Sequence, residues 1–489
     1  MLDKWNTWKD YDSLPSWYTD EEQKLHELTA DKVLGQYSRD QLERSWRWVL
    51  KELASFETEP IPQLNFDEIQ RDAVGADHVA RAKRAGCFIV RNVVSESESR
   101  ELNHSLQTFL SEHSDAITGW PVEAPHIKQL YWTEAQVKLR AHPNHLLLQE
   151  WLNKLWEEPG QQMSTNSQQN TSTLATPLTY ADALRSMPSK STYPALGPHI
   201  DAGSLSRWLD DDYRHFYHDV FSGHPERLDL YRLKERSTCK QHVIPGPAHS
   251  SVLRTFQGWT CLTDVGENKG GIWFYPRVDL AVVYLLLRPF FEEIRSEEEL
   301  VREATGSTDP TLNLTANSDG LPTPDTTPGT PEDDSSDAKY GATLKSRDAA
   351  EAARARYLSA ANWKFTRPSY FPGTQSISSQ CLGNKSHPHL ELTKRLVSIP
   401  DLSAGDSVWW HCDGIHAVDP NHLSGDDPAV VVYIASVPST QPNIEYVREQ
   451  AETFRARKCP PDFGQTFEEA HEWNPEWLRG GERAMMLDE

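Results

Sequence analysis

The chain has 489 residues and is poor in cysteine, in positive charge and in long apolar runs. Its six cysteines, Cys87, Cys239, Cys261, Cys381, Cys412 and Cys459, are scattered, and no two stand at CxxC spacing. That pattern argues against a zinc knuckle and a disulfide scaffold. Lys and Arg number 49 against 72 Asp and Glu, a net charge of -23. Such a chain repels phosphate backbones, which proteins usually engage through a basic stripe, so nucleic acid is not an expected partner. No apolar run reaches the ~18 residues of a membrane span. The longest apolar stretch, "DLAVVYLLLRPFF" at 279–291, is interrupted by Arg288 and predicts a buried helix. The N-terminal "MLDKWNTWKDYDSLPSW" lacks a basic start followed by an apolar segment, so a cytoplasmic location is the expectation. No Gly-rich phosphate loop and no GxSxG elbow is present, which leaves nucleotide hydrolysis and serine esterase chemistry without support.

The N-terminal part reads as helical. "SRDQLERSWRWVLKELASF" starts on a serine cap and puts Leu42, Trp46, Val49, Leu50 and Leu53 on one face. "SESESRELNHSLQTFLSEH", capped by Ser95 or Ser97, and "PNHLLLQEWLNKLWEE" predict two more helices around the short apolar strand "AGCFIVRNVV". After Leu178 the pattern turns to strands, in "SVLRTFQGWTCLTDV", "GGIWFYPRV", "GDSVWWHCDGIHAVDP" and "PAVVVYIASVP". "NIEYVREQAETFRAR" returns to helix. Short strands separated by turns favour a barrel or sandwich. The expected organisation is a helical region at 1–160 packing on a β core, which runs over 179–305 and 342–489 and ends in a C-terminal helix. Two polar, Ser/Thr/Pro-rich stretches, 161–178 and 306–341, read as disordered inserts.

Three HxD patterns occur: His113 with Asp115, His199 with Asp201, and His411 with Asp413. The first lies in a polar helix end and reads as solvated. In a strand, residues two apart share a face, so His199 and Asp201 of "GPHIDAGSLSRW" can aim at one ion. Two His and one carboxylate on one face of an octahedron suit a divalent metal that keeps positions open for oxygen chemistry. "GDSVWWHCDGIHAVDPN" offers His411 and His416 as the third ligand. Alternation puts Val408 and Trp410 on one face and Trp409 and His411 on the other; Gly414 bends the chain and His416 opens the next strand. Either imidazole is a candidate on these grounds. Trp259, Trp409 and Trp410 read as core or pocket wall, His387 and His389 of "HPHLELTK" as a solvated loop, and Cys412 as a free apolar thiol.

The ordered phrases "LGPHIDAGSLSRW", "RTFQGWTCLTD", "LLLRPFF", "GDSVWWHCDGIHAV" and "CPPDF" resemble the YbiU-like family, regarded as iron/2-oxoglutarate oxygenases of unknown substrate. "RAGCFIVRNVV", "YWTEAQVKLRAHPN" and "YADALR" fit the same family, so the resemblance runs from about Ser45 to about Phe463. It implies a double-stranded β-helix, a jelly-roll core with α elaborations and a metal at one mouth. The wider superfamily commonly places its distal iron ligand on a His followed by a small residue after an aromatic strand; here that implies His416, with His411 as the alternative. The implied activity is an Fe(II), 2-oxoglutarate-dependent oxidation of a small molecule by dioxygen. A silent metabolite- or metal-binding module, or an iron dioxygenase on another cosubstrate, stands beside it because a fold does not fix a function.

Many such enzymes carry an Arg on the strand after the distal His to grip the cosubstrate's far carboxylate. Here "PAVVVYIASVP" has no Arg or Lys. A planar guanidinium is still the natural partner for that carboxylate. Arg254, Arg185 and Arg207 are the candidates, with Arg254 first because a charge in a core-strand pattern needs a reason. The bland alternative pairs Arg254 with a buried acid such as Asp264.

Overall fold

The computed structural model describes residues 5, 18–156, 174–201, 203–244, 246, 250–306, 334–464 and 474–487. Among these, two sheets dominate a mixed α/β architecture. The larger has eight strands in the spatial order Gln63–Asn65, Cys87–Arg91, Ser407–His411, Phe256–Cys261, Ala429–Tyr433, Leu184–Met187, Ile127–Lys128 and Gly119–Trp120. The smaller has five: Gln380–Cys381, His199–Ile200, His416–Val418, Ile272–Phe274 and Val397–Ser398.

Period-2 alternation separates two cores. Trp259, Val408, Trp410 and Val431 from the large sheet pack with Ile272 and Phe274 from the small one, so one apolar cluster fills the space between the sheets. Their neighbours Phe88, Trp409, Val430 and Val432 join the other cluster, with Leu106 and Leu152 of the covering helices. The expected split of Val408 and Trp410 from Trp409 is therefore observed. Gly258 is required where it stands, because a Cβ there would lie 2.6 Å from the Trp409 ring.

The helices begin where the caps place them. Ser38 and Gln41 form a reciprocal capping box on Arg39–Ser55, and Leu42, Trp46, Val49, Leu50 and Leu53 are its buried positions. Ser95 caps Glu96–Glu112 by accepting from the Glu98 N–H. Val278–Leu287 buries every residue except Asp279. Among the described residues no helix is long and apolar enough to cross a membrane. None of the six cysteines is joined in a disulfide.

Several expectations need correction. The span after His199 carries helices that the strand reading left out. Ser206–Leu209, Asp211–Phe216, His218–Phe221 and Leu233–Arg236 are short helices, whose aromatic residues Trp208, Tyr213, Phe216, Tyr217 and Phe221 are buried. The stretch 161–178 lies mostly outside the described residues, but at its end Leu178 pairs with Val437. The stretch 306–341 likewise falls mostly outside them, and a helix, Asp334–Leu358, runs over its last residues. His387 and His389 are not solvated; they are 1% and 4% exposed. His389 sits among Trp46, Tyr284 and Trp363, because the flanking apolar residues turn the segment inward.

Candidate metal centre

His199 and His416 start adjacent antiparallel strands of the small sheet and are direct register partners. Their ring centroids are 4.3 Å apart. Asp201 follows two residues after His199, and its carboxylate spans both rings. Oδ1 lies 3.0 Å from His199 Nε2, and Oδ2 lies 3.3 Å from His416 Nε2.

The tautomers follow from the backbone. His199 Nδ1 is 2.7 Å from the Gly197 carbonyl, and His416 Nδ1 is 3.1 Å from the Gly414 carbonyl. A carbonyl only accepts, so each Nδ1 donates. In the neutral rings each Nε2 is then a bare lone pair aimed at a carboxylate oxygen. Lone pairs facing lone pairs need a cation between them, either a proton or a metal. Although burial works against its charge, the Asp201 carboxylate raises the His199 pKa above the ordinary imidazole value. Burial and the neighbouring His199 lower that of His416. Burial pushes the Asp201 pKa upward, but the two imidazoles prevail and hold it well below the carboxylate range. The donor set therefore fits a divalent cation with N, N, O ligands and leaves the remaining coordination positions free.

The second cluster, His411, Cys412 and Asp413, lies within ligand distance but its lone pairs are already used. His411 Nδ1 accepts the Asp413 N–H at 3.0 Å. Burial pushes the Cys412 thiol up to about 12 and the His411 imidazole down to about 4. Asp413 accepts from Arg207 at 2.9 Å and from the Tyr217 hydroxyl at 2.9 Å, with Arg236 at 3.7 Å. Two guanidinium groups repel a cation here. His411 instead stacks on Trp156 at 4.8 Å. One residue of strand parity and the turn at 412–415 thus send His411 away from His199 and bring His416 to it. His113, in the first HxD pattern, is far less buried, and Asp115 is exposed.

The three arginines part company. Arg207 belongs to the Asp413 cluster and packs over the turn after Asp201. Gly203 there has φ +89°, and a Cβ on it would lie 2.6 Å from the guanidinium carbon. Arg254 does not pair with Asp264, which is 61% exposed and bound to Arg100. It lies 3.5 Å from Asp182 instead and over the Tyr180 ring. Arg185 is 1% exposed and donates to the Gly270 carbonyl at 2.6 Å, while its Nε has no hydrogen-bond partner. It is the register partner of Val431 and so shares the face between the sheets. Burial raises the pKa of the half-buried Tyr433 phenol, with Arg185 opposing and the charges of Asp182 and Asp201 adding to it. Asp182, Tyr433, Tyr217 and Arg236 carry no sequence pattern. Only Asp182 had a pointer, its place in "YADALR" beside Arg185.

The Gig2-like family pattern matches residues 12–487. The chain belongs to the Gig2-like family. This Gig2-like protein is 26% identical over 416 residues to the uncharacterized protein YbiU of Escherichia coli K12, covering 82% of this chain and 78% of YbiU. In fold it is similar to the crystal structure of GlcNAc Inducible Gene 2, GIG2, of Candida albicans, with a TM-score of 0.70 at 22% identity. That match covers 95% of this chain and 89% of GIG2. A hypothetical protein of Escherichia coli matches with a TM-score of 0.65 at 22% identity, over 97% of this chain and 98% of that one.

Proposed function

We propose that this Gig2-like protein is a mononuclear iron(II), 2-oxoglutarate-dependent oxygenase of a small molecule, built on a double-stranded β-helix. The strand order supports the fold. From Leu184–Met187 through His199–Ile200, Phe256–Cys261, Ile272–Phe274, Val397–Ser398, Ser407–His411 and His416–Val418 to Ala429–Tyr433, the chain visits the sheets in turn. The sequence is large, small, large, small, small, large, small, large. That winding is the one a jelly roll needs.

The observation that carries the function is the Asp201 carboxylate bridging two Nε2 lone pairs whose Nδ1 protons are pinned by backbone carbonyls. His199, Asp201 and His416 would hold the iron. Bound iron with 2-oxoglutarate supplies the activation of dioxygen that oxidises a substrate carbon. The chain's own residues do the rest. The carbonyls of Gly197 and Gly414 keep the imidazoles in the ligating tautomer. Trp410, 5.0 Å from the His416 ring, and Phe274 keep water from one side of it. Arg185 is the first choice for gripping the far cosubstrate carboxylate. It stands directly across from Val431 on the strand that follows His416, and it has an unpartnered donor in a buried place, which costs free energy unless a ligand accepts from it.

The test is succinate release from 2-oxoglutarate in air with iron(II) and ascorbate, comparing wild type with Asp201→Ala. Succinate from the wild type alone supports the reading. Iron uptake without succinate points to another cosubstrate, and tight zinc with no oxygen chemistry overturns the oxygenase.

A further inference from the structure

With the cosubstrate assigned to Arg185, a second guanidinium beside the same space is left without work. Arg254 precedes Thr255, whose carbonyl accepts the Cys412 N–H at 3.2 Å and whose own N–H reaches the Ser436 carbonyl at 3.0 Å. It therefore stands at the end of the large sheet where the hairpin leading to His416 turns over. Its side chain is 16% exposed, that of Asp182 23% and that of Asp201 32%. Buried arginines such as Arg185, Arg207 and Arg236 are 0–2% exposed, whereas Arg254 and Asp182, in contact with each other, and Asp201 all reach solvent. The Asp201 charge is felt at Arg254.

The guanidinium is held but not used up. Its face lies 5.1 Å from the Tyr180 ring centroid, and Tyr180 is fixed in turn by donating its hydroxyl to Asp462 at 2.9 Å. The Asp182 carboxylate approaches only to 3.5 Å and accepts instead from the Ala183 N–H at 2.7 Å. Stacking on the face leaves the in-plane N–H fork open, which is the edge that takes a planar anion by two parallel hydrogen bonds. Charge balance selects the anion. One guanidinium stands against the carboxylates of Asp182 and Asp201, so added negative charge is disfavoured and a singly charged carboxylate meets less repulsion than a dianionic phosphate.

We propose that Arg254 binds a carboxylate of the substrate, so that the molecule oxidised is a small monocarboxylate; this rests on the oxygenase reading above. Tyr180 and Asp462 position the fork, and Asp182 limits the charge it accepts.

The test uses the full chain loaded with manganese(II) and 2-oxoglutarate. Fluorine NMR relaxation is read on trifluoroacetate, with trifluoroethanol as the neutral counterpart. Wild type is expected to enhance relaxation of trifluoroacetate and not of trifluoroethanol. Arg254→Gln should weaken the acetate probe about 10- to 100-fold, as for loss of charged hydrogen bonds, with manganese and 2-oxoglutarate affinities unchanged. Arg254→Lys, which keeps the charge without the fork, should fall between and guards against a folding defect. Inorganic phosphate should compete more weakly than acetate. Equal enhancement by wild type and Arg254→Gln, or equal enhancement of both probes, overturns the proposal. So does a tenfold loss of 2-oxoglutarate affinity in Arg254→Gln, which would make Arg254 the cosubstrate clamp and leave the oxygenase reading standing. A wild type that takes up no manganese removes both.

Discussion

Arg207 and Asp413 form an ion pair of 2.9 Å in which both side chains are essentially buried, at 2% and 0% exposure. It ties the turn after Asp201 to the turn before His416, so the two segments that carry the candidate ligands are fastened to each other outside the metal position. Tyr217 and Arg236 complete the ring around the carboxylate. Burying charges is costly, and this pair survives because the remaining oxygen is also satisfied.

Asp413→Asn should therefore destabilise the fold by about 3–5 kcal/mol, because it leaves buried guanidinium charge uncompensated. Burial alone would raise the Asp413 pKa, yet Arg236 and Arg207 hold it below the usual range. A carboxyl with a depressed folded pKa contributes stability that is fully present above its unfolded value, near about pH 4. That contribution fades as pH falls towards the folded value. Denaturant midpoints of wild type and variant should begin to converge as pH falls below about 4.

His416→Ala should weaken manganese or iron binding by far more than the roughly 10- to 100-fold typical of outer-shell changes. His411→Phe, which keeps the stack on Trp156, should leave metal binding within a few-fold of wild type. Calorimetric titration of the two variants separates them; equal losses would contradict the geometry.

A proton and a metal compete for the space between the imidazoles and Asp201. Because the Asp201 carboxylate raises the His199 pKa, the metal-free fold gains proton-linked stability. That gain is fully present below about pH 6.5 and is lost as pH rises through the folded pKa. Metal affinity must run the other way. The rise in Tm on adding manganese(II) should be larger at pH 8 than at pH 6, and Asp201→Asn should flatten the difference.

Arg185→Met should raise the apparent KM for 2-oxoglutarate by about 30-fold or more, since a charge-assisted bidentate contact is worth about 2 kcal/mol or more. The variant should keep its metal. Uncoupled succinate formation at varied 2-oxoglutarate checks it.

Gly203→Ala should cost about 1–3 kcal/mol. Its φ of +89° and the Arg207 guanidinium 2.6 Å from a new Cβ leave no relaxed position. Thermal unfolding reads the loss.

Much of the local structure was legible in the chain itself. The Ser38 and Ser95 caps, the buried stripe of Leu42, Trp46, Val49, Leu50 and Leu53, and the alternation of Val408 and Trp410 against Trp409 follow from periods of 3.6 and 2 acting on nearest neighbours. The HxD spacing of His199 and Asp201 belongs with them, because same-face placement two residues apart needs no distant partner. The burial of His387 and His389 was not legible, since a short polar-looking segment gives no sign of the Trp46, Tyr284 and Trp363 side chains that close over it.

The sequence by itself determined the long capped helices, the principal strands with their inward faces, and the pairing of His199 with Asp201 on one side of the candidate ion. Only the tertiary structure decided that His416 rather than His411 faces His199, that Arg185 lies opposite Val431, and that Asp413 is taken by Arg207. These are matters of strand register between segments as much as 246 residues apart (Arg185 and Val431), and register is fixed by the collective packing of both sheet faces. No local pattern encodes it, because a shift of one residue would turn every one of these side chains to the opposite side.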